Sequence, residues 1–182
     1  EHDVVPIASD LDVWDAWPIQ DKHGAPFSFA ANIELWMALG APKFPDPDTR
    51  HDHARIHLLQ RNGERWHHLG QAMPEGFSPG SREWSGSAVA NEDGSLVELY
   101  FTAAGRRGES SVTFEQRMFC AVSDVVPTAG SYQLSNWRDL REVIARDPAV
   151  YMPTTNGVAG VGKIKAFRDP AYFYDPQDGA EY

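Results

Sequence analysis

VWDAWP, residues 13–18, sets one carboxylate, Asp15, between two indoles, Trp14 and Trp17, and closes on Pro18. Two readings are open. Asp15 is a turn residue beside core aromatics, or it is a working carboxylate in a pocket with aromatic walls. The fold decides between them, because Asp15 becomes a site only where other polar groups are brought to it.

The layout of this stretch recurs. WDAWPIQDKHGAPFSF opens at Trp14, WSGSAVANEDGSLVELYF at Trp84 and FRDPAYFYDPQDGAEY at Phe167. Each starts on an aromatic, passes small or polar residues and a short strand, turns at a glycine and begins a second strand. Gly24 follows Asp15 by nine residues, Gly94 follows Ser85 by nine, and Gly179 follows Asp169 by ten. Repeated antiparallel units of this kind suggest blades of a β-propeller, whose innermost strands line one central channel. Asp15, Ser85 and Asp169 are then expected to converge. A β-sandwich with look-alike hairpins is the alternative.

The remaining pattern is also all-β. VELYFT (97–102), TFEQRMFCAV (113–122), ARIHLLQR (54–61) and AYFYD (171–175) read as strands bounded by turn residues. IELWMALG (33–40) is ambiguous by periodicity, and its context favours a strand. WRDLREVIAR (137–146) reads as a helix, with Ser135 or Asn136 as its cap. After the turn QDGA only Glu181 and Tyr182 remain, so the sequence predicts two blades and the start of a third.

The chain has 182 residues, enough for one domain with a core. A net charge of −10 argues against a nucleic-acid groove or docking on an anionic membrane, and suits a neutral substrate. No apolar run approaches the roughly 20 residues of a membrane span. Residues 1–20 show no basic-then-apolar leader pattern. Cys120, the only cysteine, lies in MFCAV and reads as a buried thiol. His51, His53, His57, His67 and His68 match no zinc spacing, and PDPDTRHD (45–52) reads as a solvated loop, not a calcium loop. No metal and no cofactor are expected.

Two carboxylates stand in unusual settings, Asp15 in WDAW and Asp169 in FRDP. Retaining glycoside cleavage needs a carboxylate nucleophile and a separate acid/base about 5–5.5 Å apart. Indoles suit the flat C–H faces of sugar rings. Arg168 is placed to clamp hydroxyls or to hold a carboxylate ionised. The plainer reading makes Asp15 a cap and Asp169 the acid of an Asp-Pro turn.

VWDAWP, EWSGS (83–87) and FRDP (167–170), in this order, resemble glycoside hydrolase family 68, the bacterial levansucrases, inulosucrases and related β-fructofuranosidases. HARIHLLQR (53–61) resembles the segment between the first two motifs, and the likeness spans residues 12–176. The resemblance implies a five-bladed propeller, sucrose as donor, sugars or water as acceptor and a covalent fructosyl-enzyme. Asp15 matches the nucleophile, and Asp169 matches the acid that holds fructosyl hydroxyls. Arg168 matches a substrate-binding arginine, Trp14 and Trp84 match pocket walls, and Ser85 matches the serine bonded to the nucleophile. Trp17 reads as a support behind them. The family's usual place is outside the cell or in the periplasm.

The chain departs from the family in two ways. The acid/base of the family is a Glu in a motif like Glu-Arg-Pro, and none of Glu83, Glu98, Glu115 or Glu142 precedes Arg-Pro. Residues 1–182 are therefore expected to be the N-terminal part of one catalytic propeller, inactive alone. A second polypeptide would complete it and bring the remaining blades and the Glu. Some relatives bind calcium just before the third motif, but GVGKIKAFRDP has Lys163 and Lys165 there and no acid. The alternatives are a non-catalytic carbohydrate-binding propeller and a related propeller hydrolase acting on arabinan, xylan or fructan.

Overall fold

The structure is a computed structural model that describes residues 5–151 and 166–182. Its strands are β1 (Leu11–Gln20), β2 (Ser28–Ala30), β3 (Ile33–Pro42), β4 (Arg55–Asn62), β5 (Arg65–Gln71), β6 (Arg82–Ala90), β7 (Leu96–Ala104), β8 (Gln116–Thr128) and β9 (Ser131–Ile144), with a short 3₁₀ helix at Pro47–Asp52. They join in the order β5-β4-β3-β1-β6-β7-β8-β9, with β2 on β3.

This order resolves into two four-stranded antiparallel blades, β1-β3-β4-β5 and β6-β7-β8-β9. Their innermost strands lie side by side and parallel, with Ile19 beside Ala88 and Gln20 beside Val89. Parallel innermost strands of consecutive antiparallel blades are the propeller arrangement. Residues 171–182 open the third blade. Phe173 and Tyr182 exchange both backbone hydrogen bonds, and Tyr174 bridges to Glu181. The chain thus supplies two blades and the beginning of a third.

Strand alternation builds the core between the blades. Leu35, Met37 and Leu39 of β3 and Ile56 and Leu58 of β4 share one buried cluster with Val97, Leu99, Phe101 and Ala103 of β7 and Phe119 and Ala121 of β8. Full burial of such side chains contributes about 1.5–3 kcal/mol each. Cys120 is buried on the opposite face of β8, where it donates to Glu98. Burial, reinforced by Glu98, pushes its thiol well above the ordinary range.

The three turns of the repeat share one plan and differ in length by a residue. Asp21 N–H bonds to Ala25 O, Asn91 N–H to Leu96 O, and Asp175 N–H to Ala180 O. Gly24, Gly94 and Gly179 all hold positive φ, at 88°, 69° and 72°, a conformation that costs glycine least. The glycine N–H returns to Asp21 O, Asn91 O and Asp175 O, across one more residue in the third turn. That extra turn residue accounts for the spacing of ten instead of nine. Asp15, Ser85 and Asp169 are each six residues ahead of their turn.

Three expectations for elements change. Residues 137–144 are strand, not helix. Register shifts in the β8–β9 ladder, between Cys120 and Val122 and between Val122 and Asp124, each insert one residue into β9. Asn136 and Asp139 take positive φ there, at 51° and 55°. Successive bulges turn a period of two into a period of three. Leu134, Trp137 and Leu140 therefore all reach the core, which imitates helical spacing. AYFYD makes a single bridge at Tyr174 instead of a strand. PDPDTRHD contains the 3₁₀ helix, capped by Asp46, whose Oδ1 accepts Asp48 N–H at 3.0 Å. Elsewhere IELWMALG falls in β3, VELYFT in β7 and ARIHLLQR largely in β4.

Candidate active site

Asp15 sits on a bulge. Trp14 pairs with Leu39 and Trp17 with Met37, so Asp15 and Ala16 together face the single residue Ala38. Asp15 has a φ of 46° and an exposed side chain. Strand β6 is bulged at the equivalent place. Trp84 pairs with Thr102 and Gly86 with Phe101, leaving Ser85 as the extra residue. A Cβ at Gly86 would run into the Tyr100 carbonyl, so the glycine makes this bulge possible. Bulges re-aim a side chain out of the pleat. Here they point the two side chains at each other, and Ser85 Oγ donates to Asp15 Oδ2 at 3.0 Å.

Asp169 arrives from the third blade with a φ of 62°. Segment 166–172 has no strand ladder, and side chains of blade two take its place. Phe167 N–H bonds to Gln116 Oε1 at 2.9 Å, Asp169 N–H to Thr102 Oγ1 at 2.8 Å, and Tyr172 N–H to Ser87 Oγ at 2.8 Å. Arg168 Nε lies 3.2 Å from Asp169 Oδ2. Burial raises the Asp169 carboxyl above its ordinary range, the Arg168 charge opposes this, and the charge of Asp15 adds to the rise. The charge of Asp15 thus reaches the Asp169 carboxyl, and carboxylates so coupled are a common feature of functional sites.

Guanidinium groups cover both indoles. Arg50, on the 3₁₀ helix, lies 4.8 Å from the Trp14 ring, and Arg168 lies 5.2 Å from the Trp84 ring. His51 meets Trp14 edge-on at 5.7 Å, and its carbonyl accepts Trp84 Nε1–H at 3.4 Å. Trp84 is only 4% exposed and packs with Ala54, Ala104 and Phe114. It supports Arg168 more than it offers a surface of its own. Trp17 packs on the interblade core, and its Nε1 has no hydrogen-bond partner among the described residues.

The EWSGS strand is pinned to blade one from below. Glu83 is buried, donates its backbone N–H to Ala54 O, and accepts Ile56 N–H on its carboxylate at 2.9 Å. Burial pushes its carboxyl up, while Ile56 and Arg55 pull it down. Arg82, also buried, reaches Glu109 at 3.3 Å and the Thr113 carbonyl. Burial would raise the Glu109 carboxyl, but hydrogen bonds from Ser81 and Thr113 outweigh it and leave it at about 2.

The structure thus gathers Asp15, Ser85, Asp169, Arg168, Trp14 and Trp84 at one end of the innermost strands. Of the other glutamates weighed above, Glu98 is engaged with Arg141 and Cys120, and Glu115 with Arg106. No group of three His, Cys, Asp or Glu side chains is placed to hold a metal ion among the described residues. Lys163 and Lys165 lie outside those residues. His57 and His68 instead share a hydrogen bond of 2.8 Å inside blade one. Sequence reasoning missed Thr102, Ser87, Gln116 and Arg50. Thr102 left a signal as the one polar residue in the apolar run LYFTAA, and Ser87 closes the EWSGS motif.

Comparison with known proteins agrees with this geometry. The sequence model of the levansucrase/invertase family matches residues 1–182. The chain is 25% identical over 198 residues to the levansucrase Lscbeta of Pseudomonas syringae pv. actinidiae, covering 97% of this chain and 42% of that protein. It is 28% identical over 180 residues to the extracellular sucrase of Zymomonas mobilis subsp. mobilis, covering 95% and 40%. An inulosucrase from Halalkalicoccus jeotgali bound to kestose superposes with a TM-score of 0.84 at 29% identity, over 97% of this chain and 43% of that one. The chain spans about 42% of the length of the relatives it matches. It belongs to the levansucrase/invertase family, glycoside hydrolase family 68.

Proposed function

We propose that this chain carries the nucleophile of a retaining enzyme that transfers fructosyl units from sucrose to water or to sugar hydroxyls. In the first step an Asp15 oxygen attacks the fructosyl C2. The C2–O bond to glucose breaks, and a general acid gives its proton to the departing oxygen. In the second step water or an acceptor hydroxyl attacks C2. It gives its proton to the same residue, now a base, and Asp15 leaves as a carboxylate. Asp169 and Arg168 hold fructosyl hydroxyls as the ring flattens, with Trp14 and Trp84 behind them. The observation that carries this reading is the convergence of Asp15, Ser85 and Asp169 from three blades, with Ser85 donating to Asp15.

The acid/base glutamate and the remaining blades are proposed to reside on a second polypeptide. Two facts support an origin outside these residues: the relatives are more than twice as long, and Glu83, Glu98 and Glu115 are tied up away from Asp15. Placement outside the cell or in the periplasm is supported by the relative named extracellular sucrase.

The test is glucose release from sucrose by the chain assembled with its complementing polypeptide. Wild type should release glucose, Asp15→Asn should not, and the chain alone should be inactive. Rapid quenching with sucrose should leave a fructosyl adduct on the peptide containing Asp15. Full activity in Asp15→Asn, or cleavage of arabinan in preference to sucrose, overturns the reading.

A further inference from the structure

Segment 166–172 reaches the site without joining a sheet, yet it delivers Asp169 in a left-handed conformation. Such a backbone is strained and persists only where its surroundings hold it. The hold is a row of neutral side chains. Gln116, Thr102 and Ser87 accept the N–H groups of Phe167, Asp169 and Tyr172 in turn. Ser87 Oγ also donates to Pro170 O at 3.2 Å, so its hydroxyl grips the segment twice.

Thr102 differs from the other two in what it joins. It is fully buried on β7, at 0% exposure. Its Oγ1 accepts from Asp169 N–H at 2.8 Å and donates to Ser85 O at 3.3 Å. Ser85 in turn donates from its own hydroxyl to Asp15. One hydroxyl therefore connects the backbones of the two residues that flank Asp15, and it does so at the extra residue of the β6 bulge. The group must be an acceptor and a donor at once, which hydroxyls are and valine is not. A neutral group also adds no charge beside Asp169, whose ionisation the charge of Asp15 already disfavours.

We infer that Thr102 is a positioning residue that sets the spacing between Asp15 and Asp169 by tying the Asp169 amide to the Ser85 carbonyl. This rests on the fructosyl-transfer reading for its kinetic consequences, but not for its structural ones. Thr102 touches no reacting atom. It fixes where the hydroxyl-holding carboxylate stands relative to the nucleophile, a placement on which oriented catalysis depends steeply.

The experiment compares wild type, T102V and T102S in the assembled two-part protein. Thermal melts give the folded fraction of each, and sucrose kinetics are expressed per folded molecule. Hydrogen exchange is followed on the peptide spanning residues 166–172. T102V keeps the shape and loses the hydroxyl. It is expected to lower kcat by 10- to 100-fold with KM changed less than about threefold, and to speed exchange at the Asp169 amide. T102S is expected to restore kcat to within about fivefold of wild type and to restore slow exchange. Unchanged kcat per folded molecule in T102V overturns the inference, as does a T102S variant no better than T102V. Unchanged exchange at 166–172 in T102V also overturns it. If wild type fails to turn over sucrose while T102V still loosens Asp169, the fructosyl-transfer reading falls and the tie through Thr102 stands.

Discussion

At the residue scale the site is a contest between charge and burial. Asp169 is raised by burial against the pull of Arg168, and Asp15 raises it further. The folded chain therefore holds the Asp169 proton more tightly than the unfolded chain does. The stability this group contributes is full below its ordinary value near 3.8 and is lost as pH rises through the raised value. Asp169→Asn removes that loss and keeps a residue that tolerates positive φ. It is expected to melt higher than wild type at pH 7, with the gap closing below pH 3.8, while sucrose turnover falls. Melting curves at both pH values check this. Ser85→Ala removes one hydrogen bond to Asp15 and should lower kcat/KM about tenfold, the equivalent of roughly 1.4 kcal/mol. Steady-state kinetics on sucrose measure it.

At the scale of elements, bulges make the functional geometry. Those in β1 and β6 turn Asp15 and Ser85 toward each other, and those in β9 change its period. Gly86→Ala puts a methyl group into the Tyr100 carbonyl. Backbone cannot yield as a flexible side chain does, so the β6–β7 ladder must shift. The variant should lose about 3 kcal/mol or more of stability, seen as a lower denaturant midpoint, and should lose the Ser85–Asp15 contact even where it folds. The repeat itself was legible in the chain as aromatic, acid or serine, and glycine at steady spacing. The helix expected at 137–146 was not a misjudged propensity alone. Two inserted residues gave a strand the spacing of a helix, and nothing local distinguishes the two.

Across the whole molecule, blade one contains a buried histidine bonded to a half-buried one. His57 is 6% exposed, bonded to His68, and packed under Gly40, where a Cβ would lie 2.5 Å from the imidazole. Burial and the neighbouring His68 lower His57 to about 4, with Asp10 opposing. The unfolded chain binds this proton near the ordinary 6.5, and the folded chain resists it until about 4. Stability should fall as pH drops from 6.5 to 4 and level off below, by at most about 3 kcal/mol from this group, less where solvent screens the pair. His57→Asn should flatten that slope, as denaturant midpoints across the range would show.

The sequence by itself determined the family, the all-β class, the blade repeat and the identity of the cluster around Asp15, because each is written in short motifs at regular spacing. The order of the strands, the bulges that aim Asp15 and Ser85, and the covering of Trp84 by Arg168 were decided only in the tertiary structure. So were Thr102, Ser87 and Gln116. A side chain that accepts a hydrogen bond from 51 to 85 positions away is marked locally at most by an odd polar residue, as at Thr102, and its partner is not. Its role exists only once two blades lie side by side.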